Sequence, residues 1–506
     1  MKNQKQAKTW GIVLLASAIL ATGCAGQSKD SAEGKEAVTS SNTDKPAEAG
    51  TTKINIMTVL NTPEIPSDKL EKILEEKTNT DLTFTFVPDG SYGEKLQASL
   101  ATGSLPHMLY VGNNNSFTSI RASINSNLFW EIGPYLKDYP NLSKLNPDIL
   151  NNIKLNGKLY SLYQETPLTR QGIIYRKDWA DKLGLSSPKS VDDIYTMLKK
   201  FKESGLSTIP LADRNDLVYG SFKTLSSYFG TPNNWGVIDG KLIPEFMTQG
   251  YVDTMKFVKK LRDEGLINQD FPVTSKTDQQ NLMYTGKSGM YIGSMPDVNS
   301  IEEKTQTNVK EAKFDVENKI VGVNGKPGIW SANSYGSLLF PKSAIKNEAE
   351  LKKILAFCDK LFDPELANLF VYGVEGTHYT LKDGKVLPVT DTKLLEKEVT
   401  SYYGFLLNRT TNMKPKYFAR QVAEKADQLT NEALQFAITD PTNPLDSKTN
   451  TESGARLKDI IKDATFQFIL GKIDEKGFQD AVKKWQDQGG SKIIEEFTAS
   501  YKASNG

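Results

Sequence analysis

From Lys53 onward, apolar residues fall into short alternating runs separated by longer helical stripes. Ile54, Ile56, Met57 and Val59 predict a strand, and Leu70, Ile73 and Leu74 share one face of a helix that Ser67 is placed to cap. Leu82, Phe84 and Phe86 alternate strictly, residues 92–100 read as a helix closed by Gly103, and residues 107–111 form a third strand. An order of β, α, β, α, β implies a mainly parallel sheet covered by helices, with ligands gathering at the carboxyl ends of the strands. Asn61, Asn113 and Asn114 follow such ends and become candidate contacts.

Further along, residues 157–163 and 172–176 predict strands, and a helix over 177–183 ends at Gly184. Ser190 opens the next helix, whose Ile194, Met197, Leu198 and Phe201 recur at spacings of three and four before Gly205 closes it. A long helix over 251–264 and strands over 289–292 and 335–340 continue the alternation. Leu351, Ile354, Leu355, Cys358, Leu361 and Phe362 then mark a helix in which Cys358 reads as a buried small hydrophobe. A hairpin is expected at Asp383-Gly384, and residues 415–504 are helical in pattern throughout. No internal repeat is visible.

The amino terminus has a different character. Lys2, Lys5 and Lys8 precede an uncharged run over 10–21 that ends at Thr22, Gly23 and Cys24. That run is shorter than the roughly 20 residues a membrane-crossing helix needs, so residues 1–23 are expected to be a removable secretory signal. The small residues before Cys24 resemble a lipobox, in which the cysteine thiol is acylated and becomes the first residue, although Leu20 stands one place early and Ala21 fills the usual aliphatic position. Ordinary cleavage and release is the alternative. Residues 25–50 contain Val38 as their one sizeable aliphatic side chain, and are expected to be a disordered tether reaching roughly 25 to 30 Å.

Length and charge narrow the class. A chain of 506 residues exceeds one ordinary core, and 62 basic against 61 acidic side chains give no bias toward nucleic acid or an anionic surface. Loss of the three signal lysines takes the formal charge from +1 to −2. With Cys24 lipidated, Cys358 has no partner, so no disulfide framework is possible.

Several stretches then resemble a known family: NGKLYSLY at 156–163, IIYRKDWADKLGL at 173–185, GKSGMYIGS at 286–294 and YGVEGTHYTL at 372–381. Together with the lipobox they are similar to extracellular solute-binding protein family 1, in its branch of large sugar-binding lipoproteins of Gram-positive bacteria. The resemblance implies an α/β, two-lobed clamshell of the type II periplasmic-binding-protein kind, with a helical C-terminal region and a sugar in the cleft. It implies a first lobe of 51–163 plus 336–400 and a second of 164–335 plus 401–506, with chain crossings near 163–170 and 330–341. It also implies hinge closure on the ligand, delivery to the permease subunits of an ABC importer, and a monomer anchored by lipid on the extracellular face of the cell membrane. Some relatives carry an oxygen-rich calcium loop before the segment that here is Ile209-Pro210-Leu211. This chain has Glu203-Ser204-Gly205-Leu206-Ser207-Thr208 there, so no metal and no cofactor is expected.

A sugar presents apolar C–H faces and hydroxyls, so its site needs flat aromatic rings beside hydrogen-bonding side chains. Trp235 lies in the turn-rich run Thr231-Pro232-Asn233-Asn234-Trp235-Gly236, and Trp330 and Tyr335 fall at the expected second crossing. These three are the leading aromatic candidates, with core packing as the alternative. Trp130, Trp179 and Trp485 sit in apolar helical patterns that suit packing. Polar candidates are Asn61, Asn113 and Asn114, Tyr163 and Gln164 near the first crossing, and Asp297. His378 and Tyr379, in the family-like motif, are read equally well as a structural pair.

A secreted carbohydrate-active enzyme would also need aromatic platforms, plus two carboxylates about 5 to 10 Å apart. The chain has no Gly-x-Ser-x-Gly elbow, phosphate-binding Gly-rich loop or His-Glu-x-x-His, and His107 and His378 are its only histidines. A binder is therefore expected rather than an enzyme. A surface adhesin lipoprotein would share the anchor but not the α/β alternation.

Overall fold

The computed structural model describes residues 38–39 and 50–505, apart from 63, 112–113, 156, 333–335 and 412. In chain order the early strands are β1 (Val38–Thr39), β2 (Thr52–Leu60), β3 (Thr80–Pro88), β4 (Met108–Tyr110) and β5 (Ser161–Tyr163). Next come β6 (Gln171–Arg176), β7 (Ile209–Ala212), β8 (Trp235–Ile238), β9 (Lys241–Pro244), β10 (Ser288–Ser294) and β11 (Phe314–Glu317). The last are β12 (Ile329–Trp330), β13 (Gly336–Leu339), β14 (Tyr379–Lys382), β15 (Lys385–Pro388) and β16 (Ala437–Ile438).

Two sheets organise two lobes. The first has the order β1-β3-β2-β4-β13-β5. Its centre is parallel, β2 pairing with β3 and β4, and both edges turn antiparallel where β1 and β13 join. The second has the order β11-β6-β10-β7, with β10 parallel to β7 and antiparallel to β6. The sheets are thus mixed, because each accepts a strand arriving from a remote part of the chain. In the expected tether, Val38–Thr39 pairs with Thr85 and Phe86, covering part of the edge that β3 would otherwise leave open.

Burial follows the sequence pattern. Strand β6 is buried along its whole length because helices cover both faces of its sheet. Ile173 and Tyr175 point into one core with Phe201, Leu261 and Phe478, while Ile174 joins Val316, Tyr291 and Leu429 on the other face. The first lobe has its own core, built from Ile54, Phe84, Leu162, Leu338 and Phe370. It also takes in Tyr402, Phe405, Leu406 and Leu407, beyond the expected limit at 400, because Phe84 stacks edge-on against Tyr402 and Phe405. Each such fully buried large side chain contributes about 1.5–3 kcal/mol. Cys358 is sealed in this core, where burial pushes its thiol pKa well up.

The helical C-terminal region belongs to the second lobe. The helix Lys448–Ile469 places Leu457, Ile461 and Phe468 in that core, and Trp485 and Phe497 from the following helices complete it. The expected hairpin is β14–β15, in which Asp383 and Gly384 both take positive φ, 53° and 72°. A second hairpin, β8–β9, turns at Asp239 and Gly240 with φ of 49° and 71°. Ser67 does not cap the first helix. It lies one residue before the N-cap Asp68, and its carbonyl accepts the Tyr402 hydroxyl at 2.9 Å.

Candidate functional site

The cleft begins with the segments that join the two cores. The chain leaves β5 at Tyr163 and enters β6 at Gln171, returns from Trp330 to Gly336, and leaves the first core again after Leu407. These segments are laced together. The Gln164 amide nitrogen donates to the carbonyls of Tyr403, Gly404 and Leu406 at 2.9, 3.0 and 2.8 Å. The Glu165 carboxylate accepts from the hydroxyls of Thr410 and Thr411 at 2.9 and 2.8 Å, and its own N–H donates to Leu407 at 2.7 Å. The Ala332 N–H donates to Leu168 at 2.8 Å, tying the second crossing to the first. These hydrogen bonds tie the three crossings to one another.

Beside this joint lies a cavity of about 680 Å³. Asn146, Asp148 and Lys154 of the first lobe face Thr439, Leu445 and Tyr501 of the second, with Leu168 and Ala332 of the crossings between them. A smaller space of about 160 Å³ continues along the seam, walled by Arg121, Asn234, Trp235, Asp440 and Asp446. Trp235 is half-buried there at the start of β8, one side packed edge-on to Phe497 at 5.1 Å and near Trp485 at 6.4 Å. A third cavity, of about 290 Å³, lies in the second lobe at the carboxyl ends of β7 and β10, lined by Arg170, Gln171, Arg214, Tyr219, Lys276, Tyr291, Ser294 and Asp297.

The other expected contacts are placed as follows. Trp330 is buried in the second core, its indole N–H donating to the Thr224 hydroxyl at 3.2 Å and its backbone N–H to the Ser227 hydroxyl at 3.0 Å. Its ring meets Tyr219 edge-on at 5.7 Å, and Tyr219, 43% exposed, is the aromatic that reaches open space. Tyr163 lies in the first core, its hydroxyl accepting the Asn146 N–H at 3.0 Å, because its strand is covered on both faces. Gln164 is spent on the joint. Asn61 is exposed after β2, and Asn114 begins the helix Asn114–Asn125 after β4. Asn113, Tyr335 and Cys24 lie outside the described residues.

His378 and Tyr379 line none of these three cavities, and each is held by other side chains. His378 is fully buried, Nδ1 accepting the Val374 N–H and Nε2 bonding Glu398, both at 2.9 Å. The Tyr379 hydroxyl accepts from Lys414 at 2.7 Å. Asp297 lines the third cavity, where it accepts the Tyr291 hydroxyl at 2.9 Å and stands 3.6 Å from Lys276. Arg170, Arg214 and Tyr219 escaped the sequence reading. Arg214 follows β7 as an asparagine follows β2, and the strand-end rule that selected Asn61 could have found it.

Electrostatics at the second lobe's strand ends are set by burial. Asp213 is pushed up to about 6 by desolvation, opposed by the hydroxyl and N–H of Ser221, at 2.5 and 2.9 Å, and by Arg214. The Tyr291 hydroxyl is raised by burial and by Asp297, so it stays a donor. Arg121, at the seam, is lowered by desolvation but opposed by Asp446, and remains a cation. Among the described residues no group of three or more His, Cys, Asp or Glu side chains could hold a metal ion.

The comparisons agree with this architecture. The chain is 39% identical over 507 residues to the polygalacturonan/rhamnogalacturonan-binding protein YtcQ of Bacillus subtilis, covering 97% of both chains. It is 35% identical to the lipoprotein LipO of the same organism, over 92% of this chain and 95% of that one. Among solved structures, an HMO-binding, ABC-transporter-associated solute-binding protein from Bifidobacterium longum infantis has the same fold, with a TM-score of 0.68 at 17% identity over 90% of this chain and 99% of that one. Residues 62–365 match the family of bacterial extracellular solute-binding proteins. With a two-lobed fold, a jointed cleft and full-length relatives of this kind, the chain belongs to the bacterial extracellular solute-binding proteins, a family of binders and not of catalysts.

Proposed function

We propose that this protein captures an oligosaccharide between its lobes, closes on it by bending at the three crossings, and presents the closed form to the permease of an ABC importer. The observation that carries the reading is the cavity of about 680 Å³ at the joint, whose walls come from both lobes. Its lining mixes amides, hydroxyls, Asp148 and Lys154 with about as many apolar side chains, which suits a guest with both C–H faces and hydroxyls. The names of YtcQ and of the Bifidobacterium neighbour, both binders of saccharides or saccharide polymers, support the same cargo class. In this reading the lobes are bounded near the crossings, Trp235 flanks the guest along the seam, and the N-terminal segment anchors the protein outside the cell through Cys24.

The test is calorimetric titration with a panel of plant and host oligosaccharides alongside peptides. Micromolar binding of a saccharide, corresponding to about −8 kcal/mol, is the expected result. Binding of a peptide with no response to any glycan would overturn the cargo assignment.

A further inference from the structure

The cavity of about 290 Å³ at the strand ends of the second lobe contains an unusual donor. Arg214 is only 8% exposed, yet its Nε has no hydrogen-bond partner, and its one carboxylate contact, to Asp216, is long at 3.5 Å. A guanidinium carries five N–H donors, and leaving them dry inside a protein is costly unless a ligand completes them. The nearby acids are shared with other donors. Asp213 is held by the N–H and hydroxyl of Ser221, and Asp216 accepts the N–H groups of Val218 and Tyr219 at 2.9 and 3.0 Å. Asp297 takes the Tyr291 hydroxyl, Gln280 at 3.4 Å and Lys276 at 3.6 Å.

Three further groups converge on the same space. Gln171 is 3% exposed, and its side-chain oxygen has no donor. Arg170, at the first crossing, lines the cavity from the joint side. Tyr219 offers a ring face braced edge-on by Trp330. An acceptor for a hydroxyl, a flat aromatic surface and a guanidinium fork that fits a carboxylate in two-pronged fashion are the parts needed to hold one acidic sugar ring. The cavity sits at the carboxyl ends of β7 and β10, where open α/β sheets take their ligands, and next to the crossing.

We infer that this cavity is a carboxylate-recognising subsite, in which Arg214 and Arg170 bind the acid group of a uronate residue, Gln171 accepts one of its hydroxyls and Tyr219 stacks on its ring. The inference rests on the oligosaccharide reading above and narrows it to saccharides that bear carboxylates. Arg214 is the specificity determinant, since it is buried, its Nε has no hydrogen-bond partner and its one carboxylate contact is long.

The experiment is calorimetric titration of the full chain with tetragalacturonate and with its carboxyl-reduced, neutral counterpart, repeated on Arg214→Gln and Arg170→Gln. The acid form should bind and the neutral form bind at least tenfold more weakly, with Arg214→Gln costing the acid form roughly tenfold to a hundredfold and leaving the neutral form unchanged. Arg170→Gln, at an exposed position, should give a smaller loss in the same sense and supplies the answer if Arg214→Gln fails to fold by its thermal melt. Equal binding of both sugars, or variants that treat both alike, would overturn the subsite and leave the oligosaccharide reading standing. Failure of both sugars to bind, with a peptide bound instead, would overturn the two together.

Discussion

The guanidinium of Arg121, on the helix Asn114–Asn125 of the first lobe, is paired with the carboxylate of Asp446 in the second, and its other nitrogen donates to the Asn443 carbonyl at 3.0 Å. This contact runs between the lobes, in the small cavity that Trp235 also lines. It ties the two lobes directly to each other. Arg121→Ala is expected to shift the unliganded population toward open forms, raising the radius of gyration in small-angle scattering and weakening the apparent affinity by up to roughly tenfold. Scattering curves that superimpose for the variant and the parent would refute the latch.

Gln164 serves the joint through one amide that meets three carbonyls. Gln164→Ala leaves those carbonyls short of a donor in a half-buried place and should lower stability by about 1–3 kcal/mol in urea denaturation. A conserved midpoint would show that water replaces the amide at no cost.

Trp330 and Tyr219 touch, but their roles separate. Trp330→Ala opens a cavity in the second core and should cost about 3–5 kcal/mol of stability. Tyr219→Ala, at an exposed ring, should cost less than about 1 kcal/mol of stability while weakening saccharide binding. Paired melting and titration data decide it, and a Tyr219 variant with full affinity would move the stacking surface elsewhere.

Glu71 is buried at the start of the first lobe's first helix, and desolvation, with Glu75 and Asp68 nearby, raises it to about 7 from 4.5. Between these values the folded chain keeps a proton that the unfolded chain releases. Stability should therefore fall as pH rises from about 4.5 to 7 and level off above. Glu71→Gln should flatten that slope and stabilise the protein at pH 7.5 by about 1–3 kcal/mol. Urea midpoints at pH 5 and pH 7.5 that differ as much in the variant as in the parent would contradict this.

Cys24 carries the anchor in the sequence reading. Cys24→Ser is expected to move the protein from the membrane fraction into the culture medium, as seen by immunoblot of both fractions. Retention in membranes would point to another means of attachment.

What could be read without a structure was whatever repeats locally. The alternation of Leu82, Phe84 and Phe86 and the stripe through Cys358 were legible because a strand or helix buries one periodic face. The turn at Asp383-Gly384 was legible because its dipeptide fits positive φ, and Asp239-Gly240 carries the same signal. The partners of Gln164, the meeting of Arg121 with Asp446 and the burial of Trp330 depend on residues remote in sequence, so no local pattern marks them. Arg214 stands after a strand, as Asn61 does, but its position alone does not set it apart. A single arginine after a strand is ordinary until the surrounding acids are seen to be occupied.

The insertion of β13 between β4 and β5 bears on how the chain matures. A polypeptide made from its amino terminus presents β5 at Ser161–Tyr163 long before β13 at Gly336–Leu339, the strand that β5 pairs with. Until that later stretch has emerged, the earlier half waits with an open seam in its sheet, while the intervening half can already begin to collapse around its own strands. Assembly is therefore slow, and the waiting edge is exposed to aggregation. A chain cut short ahead of Gly336 loses a central strand of its first sheet as well as its own tail.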